Sequence, residues 1–266
     1  MTLTDIRRAL TLAGISDAAT DARLLLSHFC QVSPAEQLAH PEREYESDAL
    51  KDAVLRRAKR EPLQHILGEA YFFGERYTVS ADCLVPRADT EILVEYACRH
   101  LPKGALFADL CTGSGCIALS VLKHRPDLTA VAADISQAAL AVAKKNAEDM
   151  GLSARVRFFE VDLLSDALPF FLPDFVLSNP PYIKRKVLSS LSPELAYEPQ
   201  IALDGGEDGL LFYRAFLSRF SPACFLFEIG FDQGKAMSAL GEAAGYRATV
   251  HRDFGGNDRL VVLEKA

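Results

Sequence analysis

The sequence has no apolar run that approaches the length of a membrane-spanning helix, which needs about 20 consecutive apolar residues. Its first residues, Met1-Thr2-Leu3-Thr4-Asp5, also lack the apolar core of a secretory signal. These two absences argue against a membrane protein and against export. We therefore expect a protein of the cytoplasm.

The cysteines lack the Cys-x-x-Cys spacing of a zinc site. The six cysteines are scattered along the chain: Cys30, Cys83, Cys98, Cys111, Cys116 and Cys224. No histidines accompany them to complete a ligand set. The sequence therefore predicts free thiols and no metal site.

Long runs of lysine and arginine are absent as well. The 266 residues include 29 basic and 36 acidic side chains, which gives a formal net charge of −7. Proteins that bind bare nucleic acid neutralise its phosphates with clustered basic side chains. We therefore expect no stable, direct binding to nucleic acid. A protein partner with a basic surface is easier to accommodate.

Residues 1–70 are typical of a small helical bundle. Leu24, Leu25 and Phe29 have the spacing of an apolar helix face. The segment holds no cluster of catalytic residue types, and we interpret it as a domain that docks a substrate. The predicted helices cover residues 5–13, 17–30, 34–39 and 47–59.

The pattern then changes twice. Residues 71–84 are rich in aromatic and β-branched residues broken by glycine, which predicts a β-hairpin linker. From residue 85 onward, short apolar strands alternate with helices, as in a mostly parallel α/β sheet. The first of these helices, over residues 90–99, has Asp89 as a candidate cap. Further strands are expected near 105–110, 129–134, 155–161, 173–178 and 224–229, with helices near 115–124 and 136–151.

The last two predicted strands, 246–251 and 259–264, are joined by a connection too short for a helical crossover. Such strands pair antiparallel. A mostly parallel sheet with one reversed strand at its end is the Rossmann-like fold of class I methyltransferases. We therefore expect residues 85–266 to form an α/β domain of that type.

The segment Asn179-Pro180-Pro181-Tyr182 follows an apolar strand. Its prolines have a fixed φ and no N–H, so the chain leaves the strand along one rigid path. The Asn179 side-chain oxygen and the Pro180 carbonyl could together accept both hydrogens of an –NH2 group, while Tyr182 offers a ring face. An Asn-Pro pair is usually a simple turn. Ligands of open α/β sheets, however, bind beyond the carboxyl ends of the strands, where this segment falls.

A second motif, Asp109-Leu110-Cys111-Thr112-Gly113-Ser114-Gly115, follows the strand near 105–110. Its glycines allow a tight turn into a helix N-terminus, whose N–H groups face a ligand. With Ala118 and Asp134, the spacing also fits the fingerprint for NAD. A carboxylate at Asp109 favours a cofactor with a cationic amino group, such as S-adenosylmethionine, over the pyrophosphate of NAD.

Two further acidic residues follow later strands. Asp134 can accept hydrogen bonds from both ribose hydroxyls of a cofactor, a role compatible with capping the helix that begins at Ser136. Asp162 and Leu163 stand where this fold usually contacts adenine. The carboxylate would accept from the exocyclic amine, and the leucine would cover the ring.

Taken together, these motifs resemble the protein-(glutamine-N5) methyltransferases that modify class 1 peptide-chain release factors, over nearly the whole chain. The Asp89-Thr90-Glu91 triplet favours this group over a sister group that methylates a ribosomal protein. The matching segments are Pro62-Leu63-Gln64-His65-Ile66-Leu67-Gly68, Val85-Pro86-Arg87-Ala88-Asp89-Thr90-Glu91, the glycine turn, Asn179-Pro180-Pro181-Tyr182-Ile183, Glu198-Pro199, Asp204-Gly205-Gly206-Glu207-Asp208-Gly209-Leu210, Phe227-Glu228-Ile229-Gly230 and Asp258-Arg259.

The resemblance implies methyl transfer from S-adenosylmethionine to the glutamine of a Gly-Gly-Gln motif, which modulates translation termination and leaves S-adenosylhomocysteine. It assigns Asn179, Pro180, Pro181 and Tyr182 to the reaction and, together with Arg87, to the substrate. Cys111, Ala88 and Leu163 stand where glycine, proline and a bulkier aromatic are common. The implied cofactor contacts are Asp109, Cys111, Thr112, Gly113, Ser114, Gly115, Asp134, Asp162, Leu163 and Asn179.

Three other interpretations stay open. An adenine-N6 methyltransferase could hold its amine in the same way, but it would need a basic groove or a target-recognition domain. An NAD oxidoreductase explains the glycine spacing and leaves residues 179–182 unexplained. A binding module without activity would require a broken cofactor site, whereas the expected residues are all present. A monomer is the default expectation.

Overall fold

The computed structural model describes all residues from Met1 to Ala266, and they form two compact units. The first unit contains Met1–Glu69 together with Ser192–Tyr197, and the second contains Ala70–Leu191 with Glu198–Ala266. The first unit is therefore discontinuous in sequence, a feature that the sequence patterns did not predict. No helix in either unit combines the length and apolarity needed to cross a membrane.

The first unit consists mainly of five short helices. Ser33 and Ser47 cap the third and fourth by accepting hydrogen bonds from backbone N–H groups. The predicted apolar face of the second was partly wrong: Leu25 is fully buried, but Leu24 is 44% exposed, because residues 18, 22 and 25 share the inner face. The helices are α1 (Leu3–Leu12), α2 (Ala18–Cys30), α3 (Pro34–Ala39), α4 (Asp48–Ala58) and α5 (Leu63–Leu67).

The segment Ser192–Tyr197 completes this unit through polar contacts. Glu194 accepts a hydrogen bond from Arg57 at 3.3 Å and another from Arg60 at 3.0 Å. Arg57 is buried and also pairs with Asp21 at 2.7 Å. Two carboxylates therefore compensate the buried guanidinium, as a charge in a protein interior requires.

The predicted hairpin consists of β1 (Glu69–Phe72) and β2 (Glu75–Thr78). We expected this hairpin to be a linker, but from Ala70 onward it belongs to the second unit. The physical reason is its packing: Tyr77 is fully buried, and its hydroxyl lies 2.6 Å from Oγ of Ser120.

The second unit is built on a seven-stranded sheet. Its strands are β3 (Leu106–Leu110), β4 (Thr129–Asp134), β5 (Val156–Glu160), β6 (Phe175–Ser178), β7 (Cys224–Glu228), β8 (Tyr246–Arg252) and β9 (Asp258–Lys265). They lie in the order β5-β4-β3-β6-β7-β9-β8, and β9 is antiparallel to both neighbours. The predicted antiparallel pairing of the last two strands is confirmed, although the reversed strand lies one place in from the edge.

Helices of the second unit pack against this sheet. Adjacent strand residues point to opposite faces, so Leu226 belongs to one core cluster while Phe225 and Phe227 belong to another. The core therefore has two layers, one on each face of the sheet. The helices are α6 (Glu91–His100), α7 (Cys116–His124), α8 (Gln137–Asp149), α9 (Leu211–Arg219) and α10 (Gly234–Ala243).

The start of α6 differs from the prediction. A 3-10 turn over Ala88–Thr90 precedes the helix, and no side chain caps it. Asp89, the predicted cap, pairs instead with Arg259 of β9 at 3.1 Å. The ion pair turns the carboxylate away from the helix N-terminus, so the capping prediction was wrong.

Candidate functional site

An open cavity lies in the second unit, beyond the carboxyl ends of β3, β4 and β6. These strands are parallel and in register, with Leu110 beside both Ala133 and Ser178, so the segments that follow them meet at one edge. The cavity measures about 1080 Å³, including its mouth. The sequence-predicted residues that line it are Arg87, Cys111, Thr112, Gly113, Ser114, Asp134, Asp162, Leu163, Asn179 and Pro181.

Four predicted site residues do not line this cavity: Asp109, Gly115, Pro180 and Tyr182. Gly115 lies beneath the turn, where an added Cβ would come within 3.2 Å of Cβ of Ala143 in α8. Its role in the structure is therefore close packing of α7 on α8. Pro180 is buried, and Tyr182 points its hydroxyl into the interior.

The turn between β3 and α7 has an unusual backbone at Cys111. This residue has a φ of 59°, in the left-handed region that favours glycine. A side chain in that region costs on the order of 1 kcal/mol, and here it is tolerated because Cys111 packs against the core cluster of Phe227. Burial also raises the pKa of its thiol well above the ordinary value. The cysteine therefore keeps the shape of a glycine turn and stays protonated.

Asp109 is fully buried beneath this turn. Its Oδ2 accepts hydrogen bonds from the Thr112 hydroxyl at 2.6 Å and from the Ala118 N–H at 3.1 Å, while Oδ1 has no partner. Burial raises the pKa of this carboxyl to about 7, against the lowering effect of those two donors. An unpartnered buried oxygen is costly, so this atom fits a cationic group beside the turn.

Asp134 closes the turn from the neighbouring strand. Its Oδ2 accepts from the Gly113 N–H at 2.9 Å and its Oδ1 from the Ser136 N–H at 3.0 Å. Burial raises the pKa of the carboxyl, and these two N–H donors oppose the rise. Each carboxylate oxygen keeps a further lone pair for a ligand hydroxyl. The Ser136 hydroxyl caps α8 by accepting from the Ala139 N–H, so the Asp134 carboxylate is not needed as the helix cap.

Asp162 and Leu163 form a third wall of the cavity. Asp162 accepts from the Leu164 N–H and from the Ser165 hydroxyl, both at 2.9 Å, which fixes the loop after β5. Leu163 is only 3% exposed and offers an apolar surface. A flat ring fits against such a surface beside a fixed acceptor.

The segment Asn179–Tyr182 is held from behind by a glycine-rich loop. A Cβ at Gly205 would come within 2.7 Å of the Tyr182 Cα, and one at Gly209 within 2.3 Å of the Tyr182 carbonyl oxygen. Gln233 donates to that same carbonyl at 3.2 Å. These glycines are therefore required so that the loop can approach the segment, which explains their place in the sequence.

Side chains behind the segment form a polar network that the sequence analysis did not assign. The Tyr182 hydroxyl donates to Glu228 Oε1 at 3.1 Å, and Asn179 Nδ2 donates to the Thr90 hydroxyl oxygen at 3.3 Å. Glu228 is buried, and burial raises the pKa of its carboxyl to about 7. The available signal was a charged residue at the end of the apolar run Phe225-Leu226-Phe227, which is rare in a central strand.

Glu198 is another site residue that was missed. It pairs with Arg87, which lines the cavity, and accepts a hydrogen bond from the Val85 N–H at 3.2 Å. Its side chain is fully buried, whereas that of Arg87 is 42% exposed. Glu198 therefore fixes the exposed Arg87 on the cavity wall. The Glu198-Pro199 pair was recognised as a motif, but residue spacing could not predict that Glu198 pairs with Arg87, 111 residues earlier.

Comparisons with known proteins agree with this geometry. The PrmC N-terminal domain matches residues 2–68, and the methyltransferase small domain matches residues 88–203. Together these two family models cover most of the chain. The cavity-lining turn at residues 111–114 and the Asn179 segment lie within the second match.

Two relatives are similar over nearly their full length. The release factor glutamine methyltransferase of Cereibacter sphaeroides is 42% identical, with 95% of this chain and 93% of that protein aligned. The protein of the same name from Caulobacter vibrioides is 38% identical, with 94% and 90% aligned. Among solved structures, the hMettl16 catalytic domain in complex with an RNA hairpin has a TM-score of 0.60 at 15% identity, with 91% of both chains covered. That last likeness concerns the fold alone.

Proposed function

Since this chain belongs to the release factor glutamine methyltransferases, we propose that S-adenosylmethionine is its methyl donor and that the acceptor is the glutamine of the Gly-Gly-Gln motif in a class 1 release factor. The enzyme methylates a release factor on glutamine. The proposal adds the donor, the motif and the residues that carry the reaction.

The observation that carries the proposal is the position of Asn179. Its carboxamide lies on the cavity, at the end of a central strand, on a segment held by two prolines and by the loop of Gly205 and Gly209. Its Nδ2 is engaged with Thr90, which leaves Oδ1 to accept from a substrate –NH2. The second candidate acceptor is the Pro180 carbonyl, a role that the family resemblance implies, although Pro180 is buried and does not line the cavity.

The chemistry needs orientation more than a strong base. An amide nitrogen is a poor nucleophile because its lone pair is delocalised into the carbonyl. Two fixed acceptors that bind its hydrogens favour a pyramidal nitrogen with the lone pair exposed. Because these acceptors are already in position, the site does not have to reorganise during the reaction. The nitrogen becomes acidic once it is alkylated, so its proton can leave to a backbone carbonyl or to water.

The cavity walls suit the proposed cofactor. Asp134 would take the ribose hydroxyls, Asp162 and Leu163 would take the adenine, and Asp109 would neutralise the amino group from beneath the turn. S-Adenosylmethionine supplies a methyl group on a positively charged sulfur. The unpartnered Oδ1 of Asp109 supports a cationic ligand over a phosphate, which the same carboxylate would repel.

The variant Asp109→Asn distinguishes two effects of this carboxylate: its effect on the stability of the ligand-free protein and its effect on cofactor binding. Because burial raises the folded-state pKa to about 7, the folded protein binds the proton more tightly than the unfolded chain. The stability of the ligand-free protein should therefore fall as pH rises from about 4 to about 7. The asparagine variant lacks this loss, so we expect its melting temperature to exceed that of the wild type by more at pH 8 than at pH 5.

The same variant should bind S-adenosylmethionine more weakly by calorimetry at pH 8, because the cationic amino group loses its counter-charge. Tighter or equal binding would show that Asp109 stabilises the turn and contributes nothing to cofactor binding. Asp149→Asn, an exposed change in α8 away from the cavity, is the matched control and should alter neither quantity.

The proposal as a whole is tested by mass spectrometry of a recombinant class 1 release factor incubated with this protein and S-adenosylmethionine. We expect one added methyl group, mapped to the Gly-Gly-Gln glutamine. A release factor with alanine in place of that glutamine is the control and should gain none. A methyl group elsewhere, or none despite measured cofactor binding, would contradict the proposal and direct attention to ribosomal proteins and adenine.

A further inference from the structure

A buried amide behind the cavity joins three backbone segments of the second unit. Gln233 is 4% exposed and lies in the turn between β7 and α10. Its Oε1 accepts from the Gly230 N–H at 2.8 Å, while its Nε2 donates to the carbonyls of Tyr182 at 3.2 Å and Gly209 at 3.0 Å. These bonds connect the turn after β7, the glycine-rich loop and the Asn179–Tyr182 segment. Gln233 itself does not line the cavity.

The three backbone partners of Gln233 match a neutral amide. Each hydrogen of the –NH2 group meets one carbonyl oxygen, and the amide oxygen meets an N–H group, so the amide has one orientation in this place. A Cβ at Gly209 would come within 2.7 Å of Nε2. Glycine at position 209 therefore lets the amide reach both carbonyls. A side chain without a donor would leave the two buried carbonyls without these bonds.

The Tyr182 carbonyl is coupled to Asn179 through two prolines. Because the ring of a proline fixes φ, two of the rotations that could absorb a displacement are absent from this segment. A shift of the Tyr182 backbone is therefore passed on toward Asn179, whose carboxamide lies on the cavity. Misplacement of a reacting group by about 1 Å can lower a rate about a hundred-fold.

We propose that Gln233 is a positioning residue for the methyl transfer, which acts through the Tyr182 backbone to hold Asn179 where its Oδ1 meets the substrate amide. The inference rests on the proposed function. It adds a residue that lies outside the cavity and acts through the segment that it holds.

Backbone pairing holds the chain immediately after Tyr182. The Ile183 N–H donates to the Leu203 carbonyl at 3.0 Å, and the Gly205 N–H donates to the Ile183 carbonyl at 2.9 Å. These bonds do not involve Gln233. We therefore expect loss of its amide to shift the segment while the loop around it stays folded.

The first test uses Gln233→Met, which has a similar length and no N–H donor. We expect kcat for release-factor methylation at pH 8 to fall about ten-fold, the scale of a lost hydrogen bond. The dissociation constant of S-adenosylmethionine should stay close to the wild-type value, because the ribose and adenine walls are built from other residues. Wild-type kcat in this variant would overturn the inference.

The second test, Gln233→Glu, concerns the donor itself. A carboxylate of nearly the same shape cannot donate, whereas a protonated carboxyl regains one O–H donor and keeps an oxygen for the Gly230 N–H. Burial favours the protonated form and raises the pKa of a glutamate carboxyl, in some proteins to about 8–9. The ratio of variant to wild-type kcat should therefore fall several-fold as pH rises from about 6 to about 9. For Gln233→Met the ratio should not change with pH, and a constant ratio for both variants would contradict the inference.

Two controls accompany this pH profile. Gln137→Glu makes the same change at an exposed position of α8 that does not line the cavity, and its kcat should match the wild type at each pH. If the glutamate variant fails to bind cofactor at high pH, the comparison at pH 6 decides: it should be faster than Gln233→Met, and equal rates would contradict the inference. Charged groups on the surrounding segments are the same in variant and wild type, so the ratio removes their own titration: Lys184, Asp208, Glu228, Asp232, Asp258 and Arg259.

A double variant tests whether Gln233 acts through Asn179. In the Asn179→Ala background, Gln233→Met should cause much less than its own loss of about ten-fold, because residues that act as one unit are non-additive. Multiplying losses would show independent roles and contradict the inference.

These outcomes separate this inference from the proposed function. Absence of methyl transfer by the wild-type enzyme would remove the proposed function itself. Transfer by the wild type, with undiminished transfer by Gln233→Met, would keep that function and remove only the role of Gln233.

Discussion

Asn179→Ala is expected to lower kcat for release-factor methylation by about a hundred-fold, the scale of a contact made in the transition state. The reason is the loss of Oδ1, the side-chain acceptor on the cavity wall that can hold a substrate –NH2 group. Binding of S-adenosylmethionine should change far less, because the ribose and adenine walls are built from other residues. Steady-state kinetics and calorimetry on the same preparation measure both quantities.

A matched control is available in the connection between β8 and β9. Asn257 is exposed in the connection between β8 and β9 and does not line the cavity. Asn257→Ala removes the same chemical group and should keep wild-type kcat. Near-wild-type turnover in Asn179→Ala would exclude Asn179 from the chemistry, and a parallel loss of cofactor affinity would assign it to the cofactor instead.

Asp134→Ala should weaken the binding of S-adenosylmethionine by roughly ten- to a hundred-fold, since hydrogen bonds to a charged group contribute about 1.5–3 kcal/mol. The carboxylate also holds the Gly113 and Ser136 N–H groups, so part of the loss could come from the turn. An analogue of S-adenosylhomocysteine without the two ribose hydroxyls separates the two contributions.

The variant should impair binding of S-adenosylhomocysteine far more than binding of the analogue, because the analogue has no hydroxyls for Asp134 to hold. Equal losses for both ligands would assign the effect to the turn. An unchanged dissociation constant for S-adenosylmethionine would contradict the ribose role altogether.

The sequence predicted the parts of this molecule that depend on local pattern. Strands such as Thr129–Asp134 lie where apolar runs indicated them, since a buried parallel strand needs a continuous apolar stretch. The reversed strand followed from a short connection. The glycine turn and Asn179 met at one cavity because the carboxyl ends of parallel strands share an edge of the sheet.

The parts that escaped prediction depend on partners far away in sequence. Asp89 had the local position of a helix cap, but Arg259, 170 residues later, pairs with it. Glu198 and Glu228 were visible only as members of motifs, because their partners Arg87 and Tyr182 come from other elements. A carboxylate is placed by whichever donor the fold brings near it, and spacing along the chain does not contain that information.

The discontinuity of the first unit has a consequence for synthesis on the ribosome. When residues 1–69 have emerged, all five helices are present, but Glu194 is still about 125 residues from being made. Domains fold as they emerge from the N-terminus, yet this one lacks the carboxylate shared by Arg57 and Arg60 until β3 to β6 have been translated. The helical unit is therefore the first to begin folding, and it is completed only when more than half of the sheet exists.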